Sequence, residues 1–435
     1  MEPALPVLRP LPRRTPPAAP APAPGGSAAA TRLGRLDALR GIAALLVAVD
    51  HSSYSFMAEF RGQVMPQIDI GRYGVMLFFL VSGYVIPASL ERRGCVRSFW
   101  IGRAHRIYPL WAAVVGSVLA LNLVGLAHLG ARFDGQNPVT VAVAHATLLQ
   151  EVLGTPSVVL VLWTLSYELA FYLLVVALFT VRLHRRSATV AVSLATLAAV
   201  TATVAFVPPA STLSSALGRG PLIALAATVL VFAVLCGSSR RSALRVPGAV
   251  AGGVLALVLV PFNGTVPLWE GLVILAVMFL GTAVQRAESG TGTWPRAALT
   301  AAVVVICAVG SAYANGDTDR FAPRGWITAF LLAVLTFGVA LALRRRRFPR
   351  ALIWLGTVSY SVYLVHPVLL AVNDGVIGRH RHDEPVLEAA FLAVLLACCA
   401  LTHRFVEVPG MARGRELIRR AEQGRGGNLS ASGGD

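Results

Sequence analysis

Lysine is missing from this chain: all 38 basic residues are arginine. Charge is scarce as well, at 14% of residues against 56% hydrophobic, with a mean hydropathy of +0.68. That balance excludes a water-soluble globular domain. It fits a chain that crosses a membrane many times, since each span needs roughly 20 mainly apolar residues. Cysteine is sparse too, at Cys95, Cys236, Cys307, Cys398 and Cys399, and no spacing among them matches a disulfide framework or a metal site. They read as core thiols. The absent lysine is read as GC-rich coding bias without functional weight. A net charge of +17 would suggest nucleic acid if the arginines lined one soluble face. Most of them sit instead in short loops between apolar runs, so no nucleic-acid partner is expected.

What is present is a series of apolar runs near 36–56, 71–90, 106–128, 157–181, 188–206, 221–237, 247–261, 268–285, 297–314, 324–343, 352–372 and 386–406. The expected fold is all-α, a polytopic transmembrane helix bundle of about 11–12 spans. A further apolar stretch, 138–152, is broken by His145 and Glu151 and reads as a helix at the surface or packed on the bundle. Residues 1–34 form a Pro- and Ala-rich tail without the continuous apolar core of a signal peptide, expected to be disordered. Residues 35–406 form the membrane domain, and 407–435 a basic, flexible tail. With the N-terminus inside, the inner segments hold 29 arginines and the outer loops eight, Arg40 lying within the first span. This arginine bias predicts a multi-pass protein of the plasma membrane with both termini cytoplasmic.

The first run, "RLDALRGIAALLVAVDHSS", carries polarity that hydrocarbon disfavours. Arg40 and His51 are eleven positions apart, which puts them on nearly one helix face and roughly 16 Å apart along its axis. Asp50 points about 100° away, toward another helix. The second run holds "GVMLFFLVSGYVIP", with Ser82, and the next inner loop places Arg103 and Arg106 three apart, as guanidinium forks for a polyanion or as membrane anchors. The fourth run, "WTLSYELAFY", sets Glu168 near mid-membrane among Trp163, Tyr167 and Tyr172. Late in the chain, "LGTVSYSVYLVHPV" brings Tyr360, Tyr363 and His366 into one span. Counted from the inner edge, His51 and His366 reach depths of roughly 22 and 21 Å, with Glu168 and Ser82 slightly deeper.

These ordered motifs carry a resemblance that covers most of 35–406: "LDALRG" with its Arg and His, "FFLVSGY", the Arg-x-x-Arg at 103–106, "WTLSYELAFY" and "SYSVYLVHPV". The chain resembles the acyltransferase-3 family of integral membrane O-acyltransferases. The resemblance implies an acyl-CoA donor, acetyl-CoA in the first instance, and a hydroxyl acceptor on a sugar. It implies that Arg40 and His51 are the essential pair, that Arg103 and Arg106 serve the donor together with Arg40, and that Glu168 is catalytic. Asp50, Ser82, Trp163, Tyr167, Tyr360 and His366 are candidates for the acceptor side or for support of the site. No metal and no tightly bound cofactor is expected. Asp50 stands where the family usually has an apolar residue. Some members carry a C-terminal esterase-like domain; none is expected here, so that a second transfer step would need a partner protein.

In the expected mechanism the coenzyme A head stays at the inner mouth and its pantetheine arm reaches His51, the general base on the acceptor hydroxyl. Glu168, or Asp50, orients His51 or the acceptor. The acceptor is a cell-surface glycan, a lipid-linked sugar or a glycosylated metabolite such as a macrolide. The rival from another class is a secondary transporter, because twelve spans with intramembrane charge also describe carriers, although no internal symmetry relates the two halves.

Overall fold

The structure is a computed structural model, and it describes residues 25–127, 129, 133–204, 211–316 and 322–430. Among these the chain is helical, without a strand. The helices are α1 (Gly25–Phe56), α2 (Ala58–Val64), α3 (Ile70–Arg93), α4 (Val96–Leu123), α5 (Pro138–Ala146), α6 (Trp163–Thr180), α7 (Ser187–Thr203), α8 (Thr212–Leu217) and α9 (Arg219–Gly237). They continue as α10 (Ser242–Asn263), α11 (Leu268–Glu288), α12 (Trp294–Ala314), α13 (Pro323–Ala342), α14 (Arg350–Thr357), α15 (Ser359–Val376), α16 (Pro385–Thr402) and α17 (Val408–Ser430). In hydrocarbon every backbone polar group must be satisfied within its own segment, which is why apolar runs of this length become helices.

Ten of the described helices are long and apolar enough to cross a membrane, and α14 with α15, bent by 66° at Val358, would make an eleventh. Helix α1 occupies the twelfth predicted position, with Asp37, Arg40 and Asp50 along it. The protein is thus a multi-pass membrane helix bundle. Its centre is the pair α3 and α11, and α11 is buried from Trp269 to Ala287. Small residues let these two backbones meet. A Cβ on Gly83 would lie 1.9 Å from the Met278 carbonyl oxygen, and one on Gly281 would lie 2.3 Å from that of Leu80. The Thr282 hydroxyl then donates to the Gly83 carbonyl at 2.8 Å, tying the crossing.

The same device sets α1 against α14. A Cβ on Gly356 would fall 2.0 Å from the Asp37 carbonyl oxygen, so Asp37 and Arg40 are held at the foot of the bent span. The stretch 138–152 becomes α5 and one short turn, and the buried His145 accepts from the Val158 amide at 3.0 Å. Two segments expected to be tails are helical in part. Helix α1 starts at Gly25, and 1–24 lie outside the described residues. After a π-helical turn at His403–Glu407, α17 docks on α4, with Gly410 against Pro109 and Gly414 against His105.

Candidate active site

His51 comes from α1 and His366 from α15, and their rings meet. His51 Nδ1 lies 2.7 Å from His366 Nε2, and His366 Nδ1 lies 2.8 Å from the Val362 carbonyl oxygen. A carbonyl only accepts, so His366 carries its proton on Nδ1 and presents a lone pair at Nε2. His51 must then donate through Nδ1–H. That leaves the lone pair of His51 on Nε2, a tautomer assigned from the hydrogen-bond network. His366 is fully buried, and Pro367 follows it in the helix. His51 keeps 21% of its side chain accessible.

The accessible part faces a cavity of about 1150 Å³ whose wall includes His51, Asp50, Arg61, Arg72, Glu151 and Trp163. Its charges are mostly paired. Arg61 lies 3.0 Å from Asp50 Oδ1, with its guanidinium over the Tyr54 ring. Arg72 forks onto Glu270 at 3.1 and 3.3 Å and sits 5.3 Å from the Trp163 ring. Glu270 is held in turn by the Trp326 indole at 2.9 Å. Asp50 Oδ2 is 4.0 Å from His51 Nε2. Glu151 differs, having no side-chain partner among the described residues, and burial pushes its carboxyl up to about 7. A second cavity of about 480 Å³, walled mainly by Val118, Leu126, Val158, Val159, Pro367 and Leu370, also reaches His51, Tyr54 and Leu160. Asp374 and Arg379, paired at 2.7 Å, also line this second cavity, so the imidazole stands between two cavities that both carry charge.

A separate cluster lies toward the arginine-rich end of the bundle. Arg103, Arg106, Asp37 and Glu168 all lie within electrostatic reach of Arg40. Three guanidinium groups against two carboxylates leave a positive excess suited to an anion. Arg103 stacks 5.7 Å from the Tyr172 ring and 5.8 Å from Phe99, and its Nε is buried without a partner among the described residues. Glu168 Oε1 accepts from the Tyr172 hydroxyl at 2.7 Å.

The residues singled out in the sequence thus fall into two groups. His51, Asp50 and Trp163 line the chamber, with His366 buried behind His51, whereas Arg40, Arg103, Arg106 and Glu168 gather at the other cluster. Glu168 makes no described contact with His51; the ring that holds His51 is His366. Ser82 is buried in α3, away from both cavity walls. Tyr360 donates to the Ile107 carbonyl at 2.9 Å and pins α15 to α4. Tyr167 is buried with its hydroxyl unpartnered among the described residues. Arg61, Arg72, Asp69, Glu151 and Tyr363 line the chamber without having been chosen as site residues. Arg61 and Arg72 carried one signal, being arginines where the charge bias disfavours them. No group of three metal-ligating side chains occurs among the described residues.

A family model described as an acyltransferase domain matches residues 33–404, which includes every residue of the two clusters just described. The chain belongs to the acyltransferase-3 family. This membership decides for an enzyme, an acyltransferase acting on hydroxyls, against the carrier reading. Two relatives are acyltransferase MdmB of Streptomyces mycarofaciens and the putative peptidoglycan O-acetyltransferase YrhL of Bacillus subtilis (strain 168). The first is 27% identical over 410 residues, covering 87% of this chain and 92% of the relative. The second is 24% identical over 408 residues, covering 88% of this chain and 56% of the relative, so this chain spans little more than half of that protein. No solved structure matches the chain.

Proposed function

We propose that this acyltransferase moves a short acyl group, acetyl in the first instance, from acyl-CoA to a sugar hydroxyl. It would work in the plasma membrane with both termini and the arginine-rich end cytoplasmic. The observation that carries the reading is His51 on the wall of the charged chamber with its Nδ1 held by His366, an arrangement that assigns the lone pair to Nε2.

The chemistry follows from that geometry. Coenzyme A is a polyanion, so its phosphates stay at the Arg40, Arg103 and Arg106 cluster. The thin pantetheine arm brings the thioester to His51, roughly 16 Å beyond Arg40 along α1. The acceptor enters from the opposite side, where Trp163 and Tyr54 offer ring faces and Glu151 offers a carboxyl to sugar hydroxyls. His51 Nε2 takes the hydroxyl proton as oxygen attacks the thioester carbonyl. Collapse breaks the carbon–sulfur bond, and the same proton passes to the departing thiolate. One ester forms and one thioester breaks, without a covalent enzyme intermediate. General-base help of this kind is worth typically about 10²–10⁴ in rate.

The name of the second relative supports a glycan acceptor, and a glycosylated metabolite fits the same chamber. The test is transfer from [¹⁴C]acetyl-CoA by membranes holding the protein, offered cell-envelope glycans and glycosylated metabolites. Base-labile label in an acceptor fraction is expected. Solute uptake without consumption of acyl-CoA would overturn the reading.

A further inference from the structure

A second large recess lies at the arginine-rich end. It encloses about 960 Å³ between the start of α4, the end of α6 and the α9–α10 connection. Its wall includes Arg97, Arg182, Arg185, Arg240 and Arg245, and no carboxylate lines it. Other arginines of this protein are neutralised where they stand, as in Arg35–Glu288, Arg286–Glu91 and Arg420–Glu416. None of the five recess guanidiniums has a hydrogen bond or ion pair to any described residue. Two further polar atoms, Thr180 Oγ1 and His184 Nδ1, belong to residues of the same wall and are shielded without a partner among the described residues. Arginine bias alone requires exposed loops. It does not require five cations and two unsatisfied polar atoms around one recess.

Helix geometry relates this recess to the inner cluster. Arg97 precedes Arg103 by six residues on α4, roughly 9 Å along the axis, and Thr180 follows Tyr172 by eight on α6, roughly 12 Å. The recess thus opens about one nucleoside's length beyond the guanidiniums assigned to the donor. We propose that it is a distinct phosphomonoester site, which holds the 3′-phosphate of coenzyme A while the diphosphate lies at Arg40, Arg103 and Arg106. This inference rests on the acyl-CoA reading of the previous section. An anionic lipid headgroup offers the same phosphate chemistry, so the test must separate the two sources.

The experiment uses the full chain in phosphatidylcholine nanodiscs and two probes, coenzyme A and 3′-dephospho-coenzyme A, whose binding is measured at equilibrium. A phosphate held by two or more guanidiniums gives charge-assisted hydrogen bonds, so the wild type is expected to prefer coenzyme A by about 10-fold or more. Arg240→Gln with Arg245→Gln, and separately Arg182→Gln with Arg185→Gln, should remove that preference. Both should keep the wild-type affinity for 3′-dephospho-coenzyme A, which also shows that the variants are folded. Equal binding of the two probes by the wild type, or variants that weaken both alike, would overturn the assignment. A third arm repeats the series with phosphatidylglycerol in the nanodiscs. If the variants lose only retention of that lipid and keep the coenzyme A preference, the recess serves a headgroup and the proposal fails. Binding of neither probe would defeat the acyl-CoA reading itself, whereas binding of both without discrimination defeats only the recess.

Discussion

Replacing His366 by phenylalanine isolates what the paired rings contribute. The substitution keeps an aromatic ring at a fully buried position beside Pro367 but removes the acceptor that lies 2.7 Å from His51 Nδ1. A neutral hydrogen bond is worth about 1 kcal/mol net. At 1.36 kcal/mol per factor of ten, lost orientation alone slows the reaction about 5-fold. The tautomer matters further, because only Nδ1–H leaves the lone pair on Nε2, the nitrogen that His366 does not hold. The ceiling is the whole general-base contribution, about 10²–10⁴. The expected outcome is a kcat lowered about 10- to 100-fold with KM for acetyl-CoA nearly unchanged, since the donor's phosphates bind elsewhere. His366→Gln retains an acceptor oxygen and should lose less. Initial rates of labelled acetyl transfer in proteoliposomes, with melting in detergent as the folding control, read both parameters. A folded His366→Phe protein with wild-type kcat, or one changed only in KM, would refute the reasoning.

Arg103→Ala combined with Arg106→Ala should raise the KM for acetyl-CoA at least about 10-fold, as expected from lost charge-assisted bonds, and an unaltered KM would remove their assigned role. Gly83→Ala sets a Cβ 1.9 Å from the Met278 carbonyl and should cost about 3 kcal/mol, seen as a lower Tm. Gly116→Ala, with nothing within 4 Å, is the matched control inside α4 and should not lower Tm. Glu151 is raised by burial from 4.5 to about 7, so the folded protein holds a proton that the unfolded chain releases. Wild-type stability from this group is therefore present below about 4.5 and is lost as pH rises through about 7. Glu151→Gln should gain Tm relative to wild type between pH 5 and pH 8, and a constant difference would contradict the burial argument.

The spans were readable because hydrophobic length alone marks them, and α1 was readable because Arg40 and His51 recur on one stripe of a single helix. Depth was readable as well. Counting residues at a fixed rise brought His51 and His366 to one level, and the structure has their rings in contact. Azimuth between different helices was not readable. Glu168 was expected near His51, yet it accepts from Tyr172 and lies within electrostatic reach of Arg40, because residue counts place a side chain along the membrane normal and not around the bundle. The α3–α11 crossing that sets those angles depends on Gly83 and Gly281, 198 residues apart, and no local pattern links them. The Arg61–Asp50 and Arg72–Glu270 pairs were hidden for the same reason. Each arginine counted only as a minority charge in an outer loop until a partner from a helix was placed beside it. The break at Val358 carries no proline. It shows only where α14, fixed by Gly356 against α1, has to redirect into α15.

The measurement that bears most directly on the account is acetyl transfer by a His51→Ala protein, reconstituted and shown by melting to be folded. Loss of at least about 100-fold in kcat, with coenzyme A still bound, is what a general base at this position requires. Undiminished transfer by that protein would contradict it.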